Sequence, residues 1–238
     1  RLFPCKKIRE MDMFLVEDPE LIPDVLNDLT HVGMAEDLAA FSGAIPPFSN
    51  NLHRISIFVS GDSEDEIEFK RRLMYDERLA KYIENGTGGI VATAQDIERP
   101  KTSKSADWKK GGGFEYVGSI MPVTAYAECY RRGVEISERH DIPYTVVGRV
   151  IGSSHAMMFA WSYAFNRADP ATVQHAKEAL HETDDLVLGL GGTIWKPAVY
   201  GQQIVMEHME PNTLQLMNNL KNMLDPNGIM NPGNWEVA

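Results

Sequence analysis

The sequence predicts an α+β fold: an antiparallel sheet flanked by helices, with a C-terminal helical segment beyond it. Three observations point there. Strand-like runs and helix-periodic stretches are interspersed from Arg54 onward, at a spacing that suits helices packed on one face of a sheet. Helix-start residues recur at Ser63, Asp169 and Asn212. Glycine-rich turns separate the runs, at Gly61-Asp62-Ser63, Asn85-Gly86-Thr87-Gly88-Gly89 and Gly191-Gly192. No sequence repeat and no low-complexity tract stands out.

Residues 1–50 are mixed and turn-rich. A short helix is expected from about Asp18 to Thr30, with Pro19 in its first turn. Ala44-Ile45-Pro46-Pro47-Phe48 cannot be helical, so 1–50 reads as a linker into the domain that follows. Arg54 to Val59 alternates like a strand. Ser63 and Glu66 form a capping box for a helix reaching about Glu84. Its apolar stripe is expected at Phe69 and Leu73, then at Leu79 and Ile83.

The stretch 99–113 is a basic, glycine-rich loop carrying Arg99, Lys101, Lys104, Lys109 and Lys110. It reads as solvated, with a lid or docking loop as the functional alternative. A strand from Phe114 to Met121 stops at Pro122, and a helix from about Thr124 to His140 follows, with Tyr126, Tyr130 and Val134 on one stripe. Tyr144–Val147 and Met157–Tyr163 are two more strands. Asp169 caps a helix with Pro170 at its first position and Val173, Ala176 and Leu180 on its inner face. Asn212 is expected to cap the last helix, which carries Leu216, Leu220 and Leu224 at i+4 spacing.

Composition narrows the function. The 238 residues are 43% hydrophobic, enough for a sizeable core. A net charge of -11 argues against nucleic-acid or anionic-membrane partners, which need clustered Lys and Arg. Two cysteines, Cys5 and Cys129, make neither a disulfide framework nor a metal motif. A reducing, cytoplasmic setting is the expectation, and Cys129 is expected to pack in the core. No apolar run is long enough to span a bilayer. No dinucleotide-binding GxGxxG and no P-loop occurs. Gly189-Leu190-Gly191-Gly192 does not open a helix and is no phosphate cradle.

The C-terminal stretch LGLGGTIWKPAVYGQQIVMEHMEPNTLQLMNNLKNMLDPNGIMNPGNWEV, Leu188 to Val237, is the most specific feature. Its Gly-Gly-Thr-Ile turn and closing LDPNGI-NPG resemble the C-terminal part of the FAD-linked oxidase family. Members include glycolate oxidase, D-lactate dehydrogenase, p-cresol methylhydroxylase and vanillyl-alcohol oxidase. The resemblance covers roughly residues 40–238 and is weaker before Phe114. It implies three parts: 1–50 leading from a flavin-binding part, 51–190 as the cap or substrate domain, and 191–238 packing back on the flavin domain. It implies FAD as cofactor, held mostly by an FAD-binding domain or subunit not in this chain. No match to a covalent attachment position is found, so FAD is expected to be non-covalent.

The resemblance also sorts the chemistry. In the hydroxy-acid branch, a strand motif HAGDGNLH and a turn GGTISGEHGIG hold a divalent metal through two His and a Glu. Here the strand reads Gly148-Arg149-Val150-Ile151-Gly152-Ser153-Ser154-His155, and the Glu-His pair of the turn has become Pro197-Ala198. A lone His is no metal site, so no catalytic metal is expected. The phenol-oxidising branch resembles this chain in Gly113-Phe114, Pro122-Val123 and Phe165-Asn166-Arg167-Ala168-Asp169-Pro170.

That branch implies hydride transfer from an alcohol or phenolic substrate to the flavin. The expected catalytic residues are Arg149, His155 and Tyr200. Arg149 is a charge on an otherwise apolar strand, and Arg suits an anionic oxygen because it keeps its charge. Trp195, Lys196 and Trp161 are expected to contact substrate. Asn231, Gly233 and Asn234 are expected on the flavin side. A 2-hydroxy-acid dehydrogenase is the alternative, with Arg149 and Lys196 on the substrate carboxylate. A non-catalytic subunit of a flavoenzyme complex is the rival of another class. The electron acceptor is left open.

Overall fold

The computed structural model describes residues 7–44, 53–91, 112–152 and 155–235. In chain order its strands are β1 (Ile8–Val16), β2 (Asp37–Ala44), β3 (His53–Gly61), β4 (Gly88–Val91), β5 (Gly113–Pro122), β6 (Tyr144–Ile151), β7 (Ala156–Phe165) and β8 (Thr193–Ile194). The helices are α1 (Ile22–Val32), α2 (Glu64–Met74), α3 (Ala80–Glu84), α4 (Tyr126–Arg139), α5 (Pro170–Gly189), α6 (Val199–Glu207) and α7 (Pro211–Leu224). All eight strands form one antiparallel sheet, in the order β4-β1-β3-β2-β6-β7-β5-β8.

That order resolves into two βαββαβ units, each a split-βαβ arrangement. The first runs from β1 to β4 and the second from β5 to β8. They join along β2 and β6, where Ala39 faces Arg149 and Phe41 faces Val147. The chain path repeats although the sequence does not.

The α+β sheet-and-helix architecture is the one the sequence predicts. The linker expected over 1–50 is not. Residues 8–44 supply two full strands and α1, and β2 is hydrogen-bonded to β3 across the expected boundary at 50/51. β1 escapes the alternation rule because Asp12 points to the helix side, where Arg71 (2.5 and 2.8 Å) and the Tyr75 hydroxyl (2.5 Å) bind its carboxylate. The expected helix near Asp18 is α1, entered through a short 3-10 turn that Asp18 caps.

One face of the sheet carries the core. Phe14, Ile55, Ala40, Val146, Trp161 and Val117 lie on it with α1, α4 and α5. Tyr126, Tyr144, Phe159, Trp161 and Tyr163 are fully buried there, each stabilising the fold by roughly 1.5–3 kcal/mol through apolar burial. Cys129 is buried as expected, and burial pushes its thiol up to about 12, which suits a packing role.

Two helical details differ from expectation. The buried stripe after Ser63 is Ile67 and Met74, then Leu79 and Tyr82, while Phe69 and Ile83 are 50% and 40% exposed. A π-helical turn over Tyr75–Leu79 inserts one residue between the two stripes and shifts the second. The last helix is capped by Glu210, whose carboxylate accepts from the Thr213 N–H at 2.8 Å; Pro211 at the first position places the start there rather than at Asn212. The basic stretch 99–111 and Cys5 lie outside the described residues.

Candidate functional site on the open face of the sheet

The sheet's second face has no described helix on it. Strand alternation places Phe114, Tyr116, Gly118 and Ile120 of β5 there, because their neighbours Val117, Ser119 and Met121 face the core. Register then adds Ala160 and Ser162 of β7 opposite Gly118 and Tyr116, and Val147 and Arg149 of β6 opposite Ala160 and Met158.

The result is a floor of small residues with aromatic rings beside it. Gly118 is central: a Cβ there would lie 3.3 Å from the Tyr116 ring and 3.4 Å from Trp195. Trp195 is held over it by its backbone N–H, which donates to the Gly118 carbonyl at 2.7 Å. Phe114 and Tyr116 lie with ring centroids 6.4 Å apart, and Phe114, Tyr116 and Trp195 are 40–54% exposed. Such a surface suits a flat, apolar partner.

Arg149 lies on the same face. Its guanidinium donates to Asp37 at 2.6 and 2.9 Å in a two-point contact, which raises its own pKa above the ordinary value and leaves a further N–H edge free in direction. Arg149 and Trp195 are three strands apart, about 14 Å at about 4.8 Å per strand.

His155 sits at the β6–β7 turn, and its carbonyl accepts from the Val123 N–H. It lines a cavity of about 710 Å³ with His31, Asp37 and Val150. The His31 Nδ1 is 2.8 Å from the Asn27 carbonyl, so that nitrogen carries the proton and Nε2 is the free acceptor.

The other expected residues are elsewhere. Trp161 does not meet the expectation of substrate contact: it is fully buried and donates its indole N–H to the Cys129 carbonyl at 3.1 Å. Lys196 and Tyr200 face the helix side of the sheet. The Tyr200 ring stacks on His181 at 3.9 Å, and its hydroxyl donates to Asp185 at 3.3 Å. Asn231, Gly233 and Asn234 form the turn after α7, where the Asn234 amide oxygen accepts from Gln202 at 3.4 Å and the Trp235 N–H donates to Gln202 at 2.8 Å. Sequence reasoning missed Phe114, Tyr116 and Gly118 as site residues. Their signal was the alternation along β5, which marks two faces without saying which one is open.

The C-terminal segment exposes its apolar side. α7 has no buried residue, and Leu216, Leu220, Met223, Leu224, Ile229 and Met230 are 46–76% exposed. Among the described residues no helix is long and apolar enough to cross a membrane.

Comparison with known proteins gives the family. The family model described as FAD linked oxidases, C-terminal domain, matches residues 99–235. The chain belongs to that family.

Solved structures agree on the fold. The 4-ethylphenol oxidase from Gulosibacter chungangensis, in its isoeugenol complex, matches with a TM-score of 0.71 at 16% identity, over 96% of this chain and 54% of that one. A p-cresol methylhydroxylase with substrate bound matches with a TM-score of 0.71 at 14% identity, over 97% and 53%. An alkyldihydroxyacetonephosphate synthase matches with a TM-score of 0.53 at 12% identity, over 94% and 44%. The chain thus spans about half the length of the structures it resembles. No curated protein sequence matches it.

FAD is the cofactor the family implies, and the described residues fit one part of it. The open face offers flat aromatic and small apolar cover for the ring system. They offer no cradle for the pyrophosphate: Gly191 and Gly192 end α5, donating to the Leu188 and Val187 carbonyls, instead of opening a helix.

Proposed function

We propose that this FAD-linked oxidase C-terminal domain is the substrate-binding half of a metal-independent flavoenzyme that takes a hydride from an alcohol or phenolic substrate. The observation that carries the reading is the open face, with Phe114, Tyr116 and Trp195 around the Gly118–Ala160 floor. When bound, FAD supplies the hydride acceptor. The chain's own residues orient the substrate. The aromatic rings hold its flat body, and Arg149, kept in place by Asp37 and three strands from Trp195 on the same face, favours an anionic oxygen through its charge rather than by contact. His155, in the separate cavity at the β6–β7 turn, is kept as the candidate polar group of the reading. Non-covalent FAD, a cytoplasmic setting and a hetero-oligomer with a flavin-binding subunit belong to the same proposal, and the electron acceptor is any that this partner serves.

The exposed face of α7 and the following turn, with Asn231, Gly233 and Asn234, is assigned to the flavin-binding partner or segment. Leu216, Leu220 and Leu224 recur every fourth residue, so they share one side of the helix, and an exposed apolar side of this kind marks an interaction surface. The 2-hydroxy-acid alternative keeps support from the Gly191-Gly192-Thr193-Ile194 turn.

The test is co-expression with an FAD-binding subunit, followed by substrate bleaching of the flavin spectrum. Phenols and alcohols are expected to bleach it, with Trp195→Ala slowing the reaction 100-fold or more and Arg149→Met slowing it by less. Bleaching by hydroxy acids alone would select the alternative. A tightly bound, redox-inert flavin would mark a structural subunit and overturn the proposal.

A further inference from the structure

A second cavity, of about 580 Å³, opens on the helix side of the sheet between α5, β5 and the segment 196–200. Its back wall holds Asp184, which is 4% exposed. No side chain or backbone N–H among the described residues bonds its carboxylate. Gly201, in the first turn of α6, leaves room for it: a Cβ there would lie 3.2 Å from both carboxylate oxygens. A buried carboxyl without a partner is costly, and burial, with Asp185 beside it, pushes this one up to about 7.

The rest of the cavity is chemically distinct from that wall. Lys177 and Lys196 line it without an ion-pair partner among the described residues. The stacked His181 and Tyr200 rings form an aromatic side. Glu115 of β5 is the other charged group in the lining, and Tyr116 touches its edge from the open face. A cationic rim, an aromatic wall and a buried acceptor make three different demands on one occupant.

We propose that this cavity binds a small aromatic carboxylate that carries a hydrogen-bond donor next to its carboxylate. The two lysines take the carboxylate, the His181–Tyr200 pair takes the ring, and Asp184 takes the donor. A cavity of this size holds a molecule of that class. The proposal does not depend on the redox reading, because the two lysines, the His181–Tyr200 pair and Asp184 lie on the helix side of the sheet, and Tyr116, which belongs to the open face, is given no part in it.

Three probes isolate the donor: 3-phenylpropionate, 3-phenyllactate and phenylalanine share ring and carboxylate and differ only in H, OH or NH3+ on the α carbon. Titration calorimetry of the full chain at pH 8 is expected to show the two donor-bearing probes binding at least tenfold tighter than phenylpropionate. The amine should lose its advantage at pH 6, where Asp184 holds its proton. Asp184→Asn is expected to erase the preference for phenylalanine. Lys177→Ala, at an exposed position that leaves the core untouched, is expected to weaken all three probes. Equal affinities, no binding at millimolar probe, or an unchanged order in Asp184→Asn would each overturn it.

Discussion

Replacing Asp184 by Asn should make the protein more stable, by an amount that grows with pH. The carboxyl is raised from an ordinary 3.8 to about 7, so between those values the folded chain keeps a proton that the unfolded chain has lost. Stability therefore falls as pH rises from about 3.8 and levels off above about 7. At about 1.36 kcal/mol per pH unit, the full loss is at most about 4 kcal/mol, and the part lost above pH 5 is at most about 3 kcal/mol. The cavity beside Asp184 admits water, which reduces the burden, so about half of that ceiling is expected.

Asn keeps the shape and removes the charge. Its advantage over the parent should grow by about 1–2 kcal/mol between pH 5 and pH 7.5, or about 2–8 °C in Tm for a chain of this length. Urea unfolding of both proteins at pH 5, 6, 7.5 and 8.5 measures it. A difference that does not change with pH, or an Asn variant less stable at pH 8.5, would refute the reasoning. A residue that costs stability in this way is what a binding site retains.

Other perturbations probe the remaining architecture. The Tyr144 hydroxyl is buried without a hydrogen-bond partner among the described residues, so Tyr144→Phe should be neutral or stabilising by about 1 kcal/mol in urea melts. In Gly133→Ala the new Cβ would collide with the Tyr144 ring and hydroxyl, and a loss of about 2 kcal/mol or more is expected from the same measurement. Burial holds His53 below its ordinary 6.5, so the unfolded chain gains a proton first as pH falls. Stability should drop below about pH 6.5, and His53→Gln should flatten that slope in melts taken from pH 7.5 to 5. Leu216→Asp, at a residue 59% exposed, should leave the melt within about 0.5 kcal/mol while weakening co-purification with an FAD-binding subunit at least tenfold.

The second unit was more legible in the sequence than the first, and particular residues explain why. β5, β6 and β7 carry the aromatic and β-branched residues that mark strands, with a cap at Asp169 and a turn at Gly191-Gly192 that the structure keeps. β1 reads IREMDMFLV, and its inward Asp12 is affordable only because Arg71 and Tyr75, some sixty residues on, bind it. That compensation is invisible to a local window. β2 reads DLAAFSGA, whose small residues lack the bulk that signals a strand. Its Ser42 faces inward and joins His53 at 2.7 Å and Tyr126 at 3.0 Å, again a long-range rescue.

The candidate site followed the same logic. Sequence could name Arg149, His155 and Trp195 as chemistry in unusual places, because each is a polar or bulky residue at a strand or turn that does not need one. It does not say which face of β7 is open, and Trp161, expected on substrate, lies on the core face with its indole N–H on the Cys129 carbonyl of α4. Nor could it separate Trp195 from Lys196. They are neighbours in sequence, yet the first leans over Gly118 on the open face and the second lines the cavity that Asp184 closes. Consecutive residues leaving an edge strand point to opposite sides of the sheet, so one short turn serves two surfaces. A substitution at Trp195 should therefore affect flavin bleaching and leave phenylalanine binding intact, and one at Lys196 should do the reverse. If both substitutions changed both readouts, the two surfaces would be one site, and the separation argued from β5 would fail.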